Sequence, residues 1–382
     1  MILPIILRTR ARIGAASLGW LVLAILALGI WLSVREVVRR PGAALLPKIP
    51  TLGGHQPALV KHLRRVDRAA RSNPNDAPSV GTLGMAYHTG GFYEHAKRCY
   101  RRAQELDRSD SKWTYYHSLL EEELGNTRAV VQILEPLLDR RSDLAIGWYR
   151  LGEARFKLQQ YDRAEQAYQL AARQDQMETE AHTTTKAADA SGYSYSVHDY
   201  AWLGIARVVM TQGRATDAHD ILTDLVERSP GFGPAHTMLG RVYQHLDREA
   251  DGRSHHELAD TLPQYFPPND PLLDVLIHQS HNSNVLRKYA QIAQASRDKP
   301  RAQSLARLAM QLNPTDPDEM EKLGRLLFDL DLKQDALRYL RQHLETKGLA
   351  AHVKTMQKFG LCLVGTDQRN EAEIFFRQSI AT

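Results

Sequence analysis

Apolar residues recur through most of this chain with a period of 34 residues, and inside each period they fall at two helical spacings. In the window that opens at Ala145, Trp148, Leu151, Gly152, Tyr161, Ala164, Tyr168 and Ala171 stand at places 4, 7, 8, 17, 20, 24 and 27. The window from Ala77 repeats the pattern with Leu83, Gly84, Tyr87, Ala96, Tyr100 and Ala103. Places 4, 7, 8 and 11 share one face of a first helix, and 20, 24 and 27 share one face of a second, as 3.6 residues per turn requires. Each period therefore predicts a helix pair. Small residues at places 8 and 20, such as Gly152 and Ala164, let the two helices approach closely while Tyr168 fills the crevice. One pair leaves its apolar face uncovered; successive pairs cover one another, which predicts a one-dimensional solenoid with a continuous core.

Windows from Ala77, Ser111 and Ala145 follow one another without a gap. That from Ser111 is the loosest, with Ser118, Val130 and Leu134 at places 8, 20 and 24. Further windows open at Asp199, Gly233, Ser283 and Pro317, and a shortened one at Val353 has Phe359, Gly360, Ala372 and Phe376. On these residues the sequence resembles a tetratricopeptide repeat array. The resemblance implies an all-α, right-handed α-solenoid whose concave groove receives an extended peptide or a partner helix. The organisation expected is a basic tail at 1–12, a membrane span at 13–34, a basic linker at 35–56 and a capping helix at 57–76. Repeat units 1–3 then fill 77–178, units 4–5 fill 199–266 and units 6–8 fill 283–382. The insertion at 179–198 is rich in Ser, Thr and Tyr and reads as a loop or short irregular helix. That at 267–282 begins with a Pro-rich stop and offers a short amphipathic helix through Leu272, Leu273, Leu276 and Ile277. Insertions in arrays map to one face, either as spacers or at the binding surface.

One stretch departs from the helical period. Ile13 to Val34 holds no charged residue, enough apolar length to cross a hydrocarbon core of about 30 Å. A cleavable signal peptide is the rival, but the run is longer than the usual apolar region and is flanked by arginines, so an uncleaved anchor is expected. Charge supports the division. The net +5 of the chain splits into +3 over residues 1–34, +7 over 35–75 and −5 over the rest. An acidic folded bulk lacks the basic face that phosphate neutralisation needs, which argues against nucleic acid, whereas basic residues beside an apolar run suit anionic lipid head groups. Residues 98–120, 245–259 and 267–276 resemble bacterial arrays of exported proteins. These features lead to the expectation of a single-pass protein of a bacterial inner membrane, with extracytoplasmic repeats or, alternatively, cytoplasmic ones.

No catalytic signature is present: no glycine-rich phosphate loop, no nucleophile elbow and no H-E-x-x-H. Cys99 and Cys362 are too few for a disulfide framework or a four-cysteine metal site and read as buried, inert thiols. His278 and His281 have helical metal-ligand spacing but no acidic or thiol companion in the arrangement a zinc site needs, and read as solvated, as do His255 and His256. Neither metal nor cofactor is expected. What remains is the inner surface, to which first-helix places 2, 5, 9 and 12 project. Those places hold Tyr115, Tyr149, Glu153, Phe156, Tyr200, Arg207, Arg241, Gln244, Arg287, Gln291 and Arg325. Arg recurs at place 9 as Arg207, Arg241 and Arg325. A line of Arg beside Tyr suits a partner segment with carboxylates, since Arg bonds them bidentately and Tyr offers rigid contact area; otherwise these charges only solvate a face. Ile374 and Phe375 of the last unit form a candidate end interface for a partner or for self-association. The function expected is a membrane-tethered, non-catalytic scaffold or adaptor binding another protein, or else a structural or assembly subunit of a larger membrane complex.

Overall fold

The computed structural model describes residues 42–181, 196–262, 268–347 and 353–380. After a helical turn α1 at 42–45, α2 (Pro57–Ser72) leads into α3 (Ala77–Thr89) with α4 (Tyr93–Leu106), α5 (Ser111–Glu123) with α6 (Thr127–Leu138), and α7 (Ala145–Lys157) with α8 (Tyr161–Ala181). Next come α9 (Val197–Thr211) with α10 (Ala215–Arg228) and α11 (Gly233–His245) with α12 (Glu249–Thr261). A single short helix, α13 (Pro271–His278), separates these from α14 (Ser283–Ala295) with α15 (Lys299–Gln311), α16 (Pro317–Asp329) with α17 (Lys333–Lys347), and α18 (Val353–Gly365) with α19 (Arg369–Ile380). Among the described residues there is no strand, and the fold is an all-α helical repeat solenoid.

The expected span at 13–34 and the tail before it lie outside the described residues. Among the described residues no helix is long and apolar enough to cross a membrane. The longest, α8, has the length but carries Asp162, Arg163, Glu165, Arg173 and Asp175. The expectation of a single-pass membrane protein is corrected accordingly, and with it the placement of the repeats on one side of a bilayer. α8 also runs on through Ala181, into the stretch read as the first insertion, most of which (182–195) lies outside the described residues.

Local chemistry sets the helix boundaries. Asp76, Asp110, Ser196, Asp270, Asn282, Asp298 and Asp316 each cap a helix by accepting from a backbone N–H two or three residues on. Within every pair the turn places its left-handed residue at the fifteenth place of the unit. Gly91, Gly125 and Gly213 do this without a Cβ penalty, whereas Gln159, Asp247, Arg297, Asp331 and Asp367 adopt the same conformation with side chains. Close approach inside a pair is visible at Gly152, where a Cβ would stand 2.6 Å from the Tyr168 ring. Tyr168 touches the next unit as well, since a Cβ on Gly204 would lie 2.7 Å from the same ring.

The buried apolar residues form two clusters, one from Leu46 to Leu276 and one from Ile277 to Ala372, so the division falls inside α13. α13 packs on α3 and α5 of the first cluster and on α14 of the second. The second cluster begins beside the start of the first. Gln56 accepts from the Ser283 amide at 3.0 Å and donates to its Oγ at 2.7 Å. Asn282 donates to the Thr89 carbonyl at 2.9 Å, and the rings of His62 and His281 stack at 3.6 Å. Both thiols are enclosed: burial pushes Cys99 up to about 12 and Cys362 up to about 11, which suppresses thiolate chemistry.

Burial, with His281 and Arg65 nearby, lowers His62 to about 4. The folded chain therefore leaves this ring neutral between about pH 6.5 and 4, while the unfolded chain protonates it, so stability falls as pH drops through that window. Urea titrations at pH 7 and pH 5 should show a loss of about 2 kcal/mol from this group. His62→Gln should remove that portion of the loss; an unchanged difference between the two pH values would refute the assignment.

Candidate binding groove

α13 lies on the first helices of the first units, and one carboxylate fixes its position. Asp270 caps the helix by accepting from the Leu273 amide through Oδ1 at 2.9 Å. Its Oδ2 accepts from the Tyr115 hydroxyl at 2.6 Å and from Arg150 at 2.7 Å. Arg150 also donates through Nε to the Tyr115 oxygen at 2.8 Å and through Nη1 to Glu122 at 2.6 Å. Beside this cluster the Tyr116 hydroxyl donates to the Leu272 carbonyl at 3.1 Å. Tyr115 is fully buried and the Asp270 side chain is 3% exposed. Burial holds the Tyr115 phenol well above its ordinary range, against the pull of Arg150, so the hydroxyl remains a donor. Burial works against the charge of Arg150, but Tyr115, Glu122 and Asp270 outweigh it and keep the guanidinium protonated.

Next to α13 a cleft of about 620 Å³ opens between α3, α5 and α7 on one side and α13 and α14 on the other. Apolar Leu119, Leu276 and Ile277 and charged Glu122, Glu123, Arg287 and Lys288 are among the residues that line it. Glu123 accepts from Tyr93 at 3.1 Å and lies 3.1 Å from His88 Nε2; the His88 hydrogen bond, above all, lowers its carboxyl against the effect of burial. Opposite, Arg287 donates to Glu319 and to Gln291, both at 3.0 Å.

The remaining residues expected on the inner surface gather in separate places. Tyr149, Glu153, Phe156, Tyr200 and Arg207 form one cluster spanning units 3 and 4. Glu153 accepts from the Tyr168 hydroxyl at 2.7 Å and pairs with Arg207, whose guanidinium also lies 4.9 Å above the Phe156 ring. Tyr149 is 6.0 Å from Tyr168 and 5.9 Å from Tyr200, ring to ring. Gln244 is exposed, with its amide 3.4 Å from His256. Arg241 is exposed, whereas Arg325 sits 3.7 Å from Glu321. The recurrent arginines at place 9 are thus not an open line of positive charge: Arg207 and Arg325 face carboxylates of the chain itself. At the far end Ile374 is 58% exposed, while Phe375 packs edge-on against Phe359 at 4.9 Å.

Four groups central to this geometry, His88, Glu123, Arg150 and Asp270, were not among the residues singled out by periodicity. Asp270–Pro271 is a helix-start signature that could have marked α13. No local signal joins it to Tyr115, 155 residues away.

Residues 77–110 and 145–176 match the family model of the tetratricopeptide repeat. Two of its helix pairs, α3 with α4 and α7 with α8, thus match this repeat. The chain is also similar to several solved structures. A tetratricopeptide repeat protein from Parabacteroides merdae is 19% identical over 69% of this chain and 91% of its own, with a TM-score of 0.42. MamA from Desulfovibrio magneticus is 16% identical over 49% of this chain and 94% of its own, with a TM-score of 0.39. YrrB, described as a tetratricopeptide repeat protein with an unusual peptide-binding site, is 18% identical over 52% of this chain and 92% of its own, with a TM-score of 0.40. Among curated proteins, none matches this sequence.

Proposed function

We propose that this chain is a non-catalytic scaffold that binds a segment of a partner protein, an extended peptide or a helix, on its inner surface. The observation that carries the reading is that this surface already holds polypeptide: α13 lies on the first units through a gripped carboxylate and a gripped backbone carbonyl. Phenol and guanidinium groups on a rigid helical wall are the chemistry of segment recognition, and they turn over no bond. In units 4 and 5, Tyr200, Arg241 and Gln244 offer further groove positions, and the exposed Arg241 suits a partner carboxylate.

A photoreactive residue introduced at Arg241 in one variant and at the exposed Gln166 of α8 in another tests this in the native cell. Crosslinked partner protein is expected from position 241 and not from 166. Equal yields from the two positions would sink the reading.

A further inference from the structure

α13 differs from the helices around it. It has eight residues and no pairing helix, well below the length at which an isolated helix holds together in water. Leu276 and Ile277 are buried, one in each cluster, but Leu272 and Leu273 are only partly buried and Val275 is 46% exposed, so the start of the segment lies on the groove and only its end enters the core. The grip on that first part depends on few polar contacts, centred on Asp270. When Asp270 leaves, Arg150 keeps Glu122 at 2.6 Å, so the groove is not left with an unpaired buried cation. The open cleft alongside provides room for an approaching chain.

We propose that the groove of the first three units selects a short helical segment opened by aspartate and followed by paired leucines, and that residues 268–275 occupy it in cis until a partner segment of the same chemistry replaces them. This rests on the scaffold reading and adds the partner's character and its competitor. Asp supplies both the helix cap and the carboxylate for Tyr115 and Arg150; the leucines supply the apolar contact; the carbonyl of the first leucine meets Tyr116. A segment tethered to its own groove competes at roughly millimolar effective concentration, so a free segment of equal intrinsic affinity gains access only when the cis contacts are weakened or when it contributes contacts in the cleft.

A fluorescent peptide with the sequence of residues 268–282, followed by anisotropy, tests the proposal on the full chain. It should bind the Asp270→Ala/Leu273→Ala variant at least tenfold more tightly than the unaltered chain. A peptide with Asn in place of its own aspartate should lose at least tenfold. Equal affinity for variant and parent, or indifference to the peptide's aspartate, overturns the proposal. Should the variant lose its helical circular dichroism, the unaltered chain serves instead. Excess peptide must then accelerate amide hydrogen exchange in 271–278, and unchanged protection there overturns the proposal. Partner capture at position 241 is independent of α13, so its success beside a failed peptide experiment would remove this inference and leave the scaffold reading standing.

Discussion

Replacing Arg150 with methionine should destabilise the first cluster by about 3 kcal/mol, because it strips the charged partner from a carboxylate that the fold has taken out of water. Asp270 would keep the Tyr115 hydroxyl and its helix-cap hydrogen bond, but neither neutralises the charge. Exposure of the carboxylate to water then becomes the cheapest response, and it weakens the seat of α13. A companion change separates lost charge pairing from lost packing: Arg150→Met with Asp270→Asn should regain most of the deficit, since a neutral amide at 270 no longer demands a cation. Urea unfolding followed by circular dichroism measures both. A single variant within about 0.5 kcal/mol of the parent, the size of an ordinary surface change, would show that the buried pair is not structurally important.

Tyr168→Ala should cost about 3–5 kcal/mol, the range for removing a large buried aromatic side chain. The ring is fully buried, fills the space opened by Gly152 within its own pair, and reaches Gly204 in the next. Its hydroxyl donates to Glu153 and lies 2.9 Å from Arg207, so truncation also loosens the ion pair that spans units 3 and 4. In an array whose units contact only their neighbours, the damage should be local at first. Amide hydrogen exchange should quicken in α8 and α9 well before α16 and α17. A uniform rise along the whole chain would contradict the nearest-neighbour account.

What the sequence makes legible is the part of the fold that short-range spacing encodes. An all-α repeat fold follows from apolar residues at helical intervals and small residues where helices must nearly touch, as at Gly152 under Tyr168. The inner-surface positions follow from the same geometry, but what each side chain meets there does not. Glu153 and Arg207 both stand at place 9, in consecutive units, and stacking brings them together; that juxtaposition was readable once the units were aligned. Tyr115 and Asp270 were not readable, because the chain's return to its first units depends on the cumulative curvature of the array, a small rotation per pair that no residue pattern records. For the same reason, the sequence reads residues 267–282 as a spacer, with binding surface the alternative, and does not place α13 on α3 and α5 as the structure does.

The division of the buried interior within α13 also decides how the molecule would carry tension. A pull applied between α2 and α19 loads two blocks of interlocked helix pairs through an eight-residue helix and the side-chain clasps at Gln56, His62 and Asn282. The resistance of the two halves to being parted therefore rests on that helix and on a handful of side-chain contacts, not on one shared interior.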